Sequence, residues 1–290
     1  QNTTLDMRDL NNFVADVSRI GFGNHRLWPN FYTNGYVGEG TTAASSLPFR
    51  FVPLVWLAKT NVIKCSWTDP NNYNDSGLRD YALEIGYDTA AGTTANIRFT
   101  MGLSNAFFLD SICWAHAGKG GGGNNFNFNA TNSYALFRGI GGGRMSIWAQ
   151  GDASGVALSG SNVRGTTVDF SNGQVDALID RLILTRGRTN SSGFTIQGTL
   201  TIGGASLGSI FDVNTAILGN QDVNNLNTGT VASVANSPIG TLNVNSNATF
   251  KVNGTLHLGY TTAASVGTPN YPENCSGLLN INNSGTAAIR

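Results

Sequence analysis

Short apolar runs alternate with polar residues along the chain, and many of these runs close on a glycine. The segment 209–222, "SIFDVNTAILGNQD", holds two such runs on either side of an Asp-x-Asn pair, and 176–189 and 248–260 read similarly. Runs of about four to six residues with period-two alternation indicate β-strands, whereas an amphipathic helix needs a 3.6-residue period over ten or more residues. The pattern predicts an all-β chain.

The closing glycines recur at a nearly constant interval. Successive spacings are 32, 33, 36, 32 and 40 residues for Gly86, Gly118, Gly151, Gly187, Gly219 and Gly259. Residues 3–23 also align with 166–187 with one residue inserted, so the repeat joins the two halves of the chain. A period of roughly 33 residues lies in the range of solenoid repeats.

One repeat contains three short strands, as 240–259, "GTLNVNSNATFKVNGTLHLG", shows. Three strands joined by corners form one coil, and stacked coils pair in parallel. The sequence therefore predicts a right-handed parallel β-helix with about 33 residues per coil, since parallel crossovers are almost always right-handed. We interpret residues 1–290 as a single β-helix segment that is loosely repetitive, with larger loops, at 35–85.

The alternation also predicts which side chains form the core. Most of nine apolar residues are expected to face inward or to pack at corners: Leu178, Leu182, Phe211, Val213, Ile217, Leu218, Phe250, Val252 and Leu256.

A short polar side chain recurs before five of the closing glycines, one of which is Gly23 in residues 3–23. Asp16, Asp180 and Asp212 stand seven residues before the glycine, Asn253 six and Asp110 eight. Asp and Asn side chains hydrogen-bond nearby backbone at sharp turns. We interpret these five residues as structural corner-formers.

Composition and charge exclude several classes of function. Charged residues make up 12% of the chain, with 17 basic and 17 acidic residues, against about 25% in a typical domain. No basic footprint indicates nucleic acid, and no run of about 18 apolar residues indicates a membrane-spanning helix. The cysteines Cys65, Cys113 and Cys275 have no CxxC spacing, which argues against a disulfide scaffold or a zinc site.

Two candidate ligand motifs are better explained by structural roles. The stretch 118–129, "GKGGGGNNFNFN", lacks the order of a phosphate-binding loop, so we interpret it as a loop between coils. His25, His116 and His257 are widely separated in sequence. We therefore expect no cofactor and no tightly bound metal.

Exposed aromatic residues are the candidate ligand contacts. Trp67 and Tyr73 lie in a cluster with Trp28, Tyr32, Tyr36 and Trp56. Aromatic faces can stack on sugar rings, but a widened coil also needs large side chains to fill its core. Because a widened coil has more volume to fill, we favour core packing for these aromatic side chains.

Four phrases carry a resemblance to a known family. Residues 102–118, 171–193, 198–221 and 240–260 resemble the autotransporter-associated β-strand repeats of long secreted bacterial proteins. The resemblance implies a right-handed β-helix displayed outside the cell, usually within a far longer surface polypeptide. It implies no catalytic residues.

Three functions are compatible with these observations. The first is a non-catalytic structural or display segment at the cell surface, whose partners are copies of itself or flanking repeats. The second is an adhesin that grips glycans or a cell surface through its loops. The third is a polysaccharide lyase or hydrolase, which would need clustered carboxylates with Lys or Arg. The densest charge group consists of Asp69, Asp75, Arg79, Asp80 and Glu84, and a solvated loop explains it more simply.

Both ends of the chain read as interrupted repeats. Residues 3–23 resemble the middle of a repeat, and 277–290 stop after two strands of another. Uncapped β-helix ends expose unpaired N–H and C=O groups. We expect either a longer polypeptide or end-to-end stacking of copies.

Overall fold

The structure is a computed structural model, and the residues that it describes form parallel β-strands with one antiparallel pair. It describes residues 4–23, 27–28, 54–68, 81–87, 98–116, 124–152, 164–188, 195–205, 208–222, 237–261 and 275–290. In these ranges the strands are β1 (Thr4–Asp6), β2 (Asn12–Val17), β3 (Ile20–Gly23), β4 (Leu27–Trp28), β5 (Leu54–Trp56), β6 (Thr60–Cys65), β7 (Leu83–Tyr87), β8 (Arg98–Met101), β9 (Ser104–Leu109), β10 (Ser111–His116), β11 (Asn124–Phe128), β12 (Ser133–Arg138), β13 (Met145–Asp152), β14 (Arg164–Asp169), β15 (Gly173–Arg188), β16 (Thr195–Ile202), β17 (Ser209–Asp222), β18 (Ser237–Val244), β19 (Ala248–Thr261), β20 (Ser276–Ile281) and β21 (Thr286–Ile289). No helix occurs in the described ranges, which confirms the all-β prediction.

The strands form three ladders. The first ladder runs β1-β5-β8-β11-β14-β16-β18-β20. The second runs β2-β6-β9-β12, continues through the first halves of β15, β17 and β19, and ends at β21. The third runs β3-β7-β10-β13 and continues through the second halves of β15, β17 and β19. All of these pairs are parallel; β3 and β4 form the antiparallel pair.

The intervals between paired residues differ from ladder to ladder. In the third ladder, Trp148 pairs with Leu182 and Leu182 pairs with Ala216, each 34 residues along the chain. In the first ladder, Asn125 pairs with Thr167, which is 42 residues along. Length therefore varies in the connections between strands, while the ladders stay in register.

Large aromatic side chains fill the space between the ladders. Phe107 and Phe137 stack in parallel with ring centroids 4.7 Å apart. Trp148 lies 5.4 Å from Trp114 and 5.3 Å from Phe211, measured between ring centroids. All five are at most 1% exposed, and burying a Phe side chain contributes about 1.5–3 kcal/mol. One apolar core thus extends through successive levels of the ladders.

Most of the predicted inward residues lie in this core. Six are completely buried: Leu182, Phe211, Val213, Leu218, Phe250 and Val252. Leu256 packs against the core while partly buried, and Ile217 belongs to a second cluster. The prediction for Leu178 was wrong. Leu178 is half-buried between the fully buried Ala177 and Ile179, so the strand's alternation places it on the outer face.

The outer face of the third ladder carries a second apolar cluster. It consists of Tyr81, Cys113, Ile147, Ala149, Ile183 and Ile217, with Tyr260 packed against it. Strands of this ladder are therefore buried on both faces. This burial explains continuous apolar runs such as Leu182–Leu184, which depart from strict alternation.

A left-handed backbone position recurs at five successive levels of the third ladder. The φ angles are 62°, 67°, 63°, 74° and 75° for Ala115, Gly151, Thr185, Gly219 and Gly259, which lie level with one another in register. Three of the glycines used to define the repeat occupy this position. Thr185, rather than Gly187, occupies it in β15.

Candidate functional site

A polar cluster surrounds Asp212 on the outer face of the second ladder. The carboxylate accepts hydrogen bonds from Arg144, from Asn253 Nδ2 at 2.7 Å and from Lys251 Nζ at 3.3 Å. Arg144 precedes β13 and also donates to the carbonyls of Ile179 at 2.9 Å and Asp212 at 2.8 Å. Together these contacts, which we call the Asp212 cluster, tie β15, β17 and β19 to the turn before β13.

The surroundings of Asp212 hold it as a carboxylate. Partial burial acts to raise its pKa, but the hydrogen bonds from Arg144, Asn253 and Lys251 outweigh it, so the pKa lies below the ordinary value of an aspartate. An ionised carboxylate accepts hydrogen bonds and has no proton to donate. At neutral pH the geometry makes Asp212 a fixed anchor and not a general acid.

Two further predicted corner residues lie at the boundary between the second and third ladders. Asp110 stands between β9 and β10, and its side chain accepts a hydrogen bond from the Ser146 hydroxyl. Asp180 accepts one from Asn214 Nδ2 at 2.7 Å, and Asn253 Nδ2 lies 3.5 Å from Asn214 Oδ1. The structure thus brings Asp180 and Asn253 together with Asp212.

Asp16 lies apart from this group. It is an exposed residue of β2 whose register partner is Lys64 of β6. The corner-former interpretation of Asp16 stays a prediction.

The candidate aromatic contact Trp67 is half-buried and packs against the core. The guanidinium of Arg19 lies over its ring, 5.3 Å from the centroid, and Arg8 lies 4.4 Å from the ring centroid of Trp56. A cation therefore already covers one face of each indole. Tyr73 lies outside the described residues.

Glu84 is the member of the densest charge group in the sequence that lies within the described residues. Its carboxylate pairs with Arg19 at 2.5 Å and accepts the Tyr81 backbone N–H at 3.0 Å. Asp69, Asp75, Arg79 and Asp80 lie outside the described residues.

The described ranges contain no metal-type cluster. Among these residues, no group of three or more His, Cys, Asp or Glu side chains is arranged to hold an ion. Burial raises the pKa of the Cys65 thiol to about 12, so it stays protonated and unreactive at neutral pH. Among the same residues, no helix has the length and apolarity to cross a membrane.

Sequence reasoning missed a pair of buried asparagines at the boundary between the first and second ladders. Asn61 Nδ2 donates to Ala58 O at 2.7 Å and to Asn105 Oδ1 at 2.8 Å. Asn105 Nδ2 donates in turn to Gly102 O at 2.9 Å and Tyr134 O at 3.0 Å. The sequence signal for this pair is an Asn at the second position of both β6, "TNVIKC", and β9, "SNAFFL", which are neighbours in the second ladder.

The outer face of the first ladder carries rows of uncharged polar side chains. Asn280 Nδ2 donates to Asn243 Oδ1 at 2.8 Å, and Asn243 Nδ2 donates to Thr201 Oγ1 at 3.3 Å. Asn282 repeats the contact with Asn245 at 3.2 Å. Hydroxyl and amide groups thus recur at the strand spacing, about 4.7–4.9 Å.

Comparison with known proteins finds no family model, no curated protein and no solved structure that matches this chain.

Proposed function

We propose that the chain is a non-catalytic β-solenoid that serves as an extracellular structural or surface-display element, such as a segment of a rod, stalk, coat or fibre. The proposed architecture is a right-handed parallel β-helix with three strands per coil. The observation that carries the proposal is the continuity of three parallel ladders around one apolar core. In such a stack each level is stabilised by its interfaces with the neighbouring levels.

The placement of charged side chains supports this role. Arg138 donates to Asp176 Oδ2 at 2.7 Å and to Asp176 O at 2.9 Å, so it joins β12 to β15. The Asp212 cluster likewise links successive levels. Charged groups engaged in this way hold the ladders together and do not converge on a common reaction centre.

An extracellular location follows from the resemblance to secreted bacterial repeat proteins and stays a proposal. The partners of such an element are copies of itself or flanking repeats of the same polypeptide.

A second candidate function is a glycan-binding or surface-binding adhesin. The rows of Thr and Asn on the outer face of the first ladder favour it, because hydroxyl and amide groups can hydrogen-bond to sugars. A screen of immobilised glycans tests it directly. Binding that is lost in Asn243→Ala, a change on this face, supports the adhesin.

Replacement of Asp212 tests the structural role. We expect Asp212→Asn to lower the free energy of unfolding by about 1 kcal/mol at pH 7, the range for a solvent-screened, charged hydrogen-bond network. The folded-state pKa lies below the unfolded value, so this stabilisation is complete above about pH 4 and is lost as the pH falls through the folded pKa. The difference in the free energy of unfolding between the parent and Asp212→Asn should therefore become smaller at acidic pH. Urea unfolding at several pH values measures it.

The control is Asp9→Asn, a change at an exposed residue before β2. An Asp212→Asn protein as stable as the parent would contradict the structural role of this carboxylate. Reproducible turnover of an acidic or neutral polysaccharide by the parent chain would overturn the non-catalytic proposal itself.

A further inference from the structure

The outer face of the second ladder carries two columns of side chains that stay in register from β6 to β17. The first, the Leu136 column, consists of Val62, Ala106, Leu136, Asp176 and Ile210. The second, the Arg138 column, consists of Lys64, Phe108, Arg138, Leu178 and Asp212. All ten are half-buried or exposed, whereas the residues that alternate with them along the strands are buried. Because six of the ten are apolar, this face combines apolar and charged side chains.

This face lies at inner levels of the stack. β6 pairs with β2 and β9, and β17 pairs with β15 and β19, so each strand that carries the two columns has a neighbour on both sides. At β9, β12 and β15 the connections that border the face consist of described residues: 102–103, 110, 129–132, 139–144 and 170–172. Lys64 is exposed and Ile210 is 44% exposed. Solvent therefore reaches the face at inner levels on either side of β12.

The two columns are symmetric about β12 in their chemical character. Val62 and Lys64 stand two levels before β12, and Ile210 and Asp212 stand two levels after it. An apolar side chain thus corresponds to an apolar one in the Leu136 column. A cation corresponds to an anion in the Arg138 column.

A two-fold axis that runs along β12 between two copies of the chain matches these positions. Rotation about this axis reverses the order of the levels and keeps each column opposite the same column. It places Val62 against Ile210 of the second copy, and Lys64 against Asp212 of the second copy. Opposed charges of unlike sign favour one register over others, since like-charge contacts are costly.

The levels next to the axis match through apolar side chains. Phe108 stands one level before β12 and Leu178 one level after it, so each meets the other across the axis. Leu136 lies on β12 itself and meets Leu136 of the second copy. An apolar centre with charged positions farther out is the usual arrangement of a protein interface.

The two copies of Arg138 face each other at the axis, and Asp176 offsets their repulsion. Arg138 donates to Phe137 O, Asp176 O and Asp176 Oδ2 at 2.9, 2.9 and 2.7 Å. A guanidinium has five N–H donors, and these contacts among the described residues use three. The other two donors are directed to Asp176 of the second copy, which lies one level from the axis. Two Arg and two Asp side chains then alternate around it.

We propose that the outer face of the second ladder binds the same face of a second copy, with the two stacks antiparallel. This inference deepens the proposed function and rests on it, because it names the surface through which copies of the element associate. The contact is isologous and therefore closes as a dimer. The five levels span only about 20 Å at the strand spacing, so the interface is small and the dimer dissociates on dilution.

Sedimentation of the parent chain gives the first test. The mass should rise with concentration from 30.5 kDa to twice 30.5 kDa and stop there. A chain that stays at 30.5 kDa at high concentration would overturn the inference. A mass that continues to rise beyond the dimer would overturn the closed, isologous geometry.

Substitution at the axis tests which face is used. Leu136→Asp should weaken association at least about tenfold, because it brings two like charges together at the centre of the contact. The control is Leu278→Asp, which changes a 49% exposed residue of β20 on the outer face of the first ladder and should leave association unchanged. A Leu136→Asp protein that associates like the parent would show that another surface joins the copies.

A mixture of two variants tests the register. Val62→Lys and Ile210→Asp should each associate more weakly than the parent, because each places two charges against apolar side chains of the partner. Their equimolar mixture should form dimers, since one lysine then meets one aspartate and the other pair stays apolar. The matched control is a mixture of Val62→Lys with Ile210→Lys, which should remain monomeric. A Val62→Lys and Ile210→Asp mixture that stays monomeric would overturn the antiparallel register.

Circular dichroism verifies that each variant keeps its strands, and Leu136→Ser replaces Leu136→Asp if the latter does not fold. Failure of this inference is separable from failure of the proposed function. A stable monomer without turnover would remove only the pairing of copies, whereas polysaccharide turnover by the parent chain would remove the structural role.

Discussion

At the scale of single residues, the left-handed position of the third ladder decides which side chains are tolerated. A left-handed conformation costs an L-residue about 1–2 kcal/mol, and glycine avoids that cost. Ala115 and Thr185 nevertheless occupy it, with φ of 62° and 63°. Gly219 is under a stronger constraint, because a Cβ there would lie 2.2 Å from Ser276 O.

We expect Gly219→Ala to lower the free energy of unfolding by about 2–4 kcal/mol, since backbone strain and a backbone clash add together. Denaturant unfolding measures the loss. The matched control is Gly165→Ala in β14, where an added Cβ meets nothing within 4 Å and the change should be within about 0.5 kcal/mol. Equal stabilities of the two variants would show that the left-handed corner is not a constraint.

At the scale of the strand, β17 shows two different patterns in one element. Its first half alternates, with Phe211 and Val213 completely buried and Ile210 exposed. Its second half is buried on both faces, where Ile217 joins the second cluster and Leu218 joins the main core. The first half of the strand therefore belongs to a ladder with one solvent-exposed face, and the second half belongs to a ladder that is covered on both faces.

Val213→Asp should prevent stable folding or lower the free energy of unfolding by about 3–5 kcal/mol, because it places an unpaired charge inside the core. The control is Ile210→Asp on the same strand, where the side chain is 44% exposed; it should cost less than about 1 kcal/mol. Thermal unfolding followed by circular dichroism compares the two. A Val213→Asp protein that melts with the parent would contradict the assignment of this face to the core.

At the scale of the whole molecule, burial is complete in the middle of the stack and falls toward β20 and β21. Phe137, Trp148 and Phe211 are fully buried, whereas Ile281 and Ile289 are more than half exposed. Among the described residues, β20 pairs only with β18 and β21 only with β19, whereas β12 pairs with strands on both sides.

Amide hydrogen exchange in dilute solution should show this gradient. We expect the amides of β20 and β21 to exchange at least about tenfold faster than those of β12 and β15, because local opening is easiest where few contacts are lost. Mass spectrometry of peptides from each strand measures the rates. Uniform protection from β12 to β21 would contradict a layer-by-layer distribution of stability.

Local pattern was enough to predict the all-β class, the parallel strands and most of the core. Phe211, Val213, Phe250 and Val252 were identified because alternation depends only on the two-residue period of a strand. Gly219 was recognised as a repeat position because it lies at the end of an apolar run. The Asp212 cluster was not foreseen, since Arg144 and Asp212 are 68 residues apart and meet only through the ladders.

Only the tertiary structure decided how the repeats are placed against one another. Periodicity constrains which face a residue takes but not how far along the chain its partner lies, and connection lengths shift that interval from ladder to ladder. The register of the third ladder therefore shows that Thr185, and not Gly187, occupies the left-handed position. Ile183 is buried on the outer face because the residues of the second apolar cluster pack around it there. The two-residue period of a strand is a local property of the sequence, whereas the side chains that bury each face of the strand come from residues far along the chain.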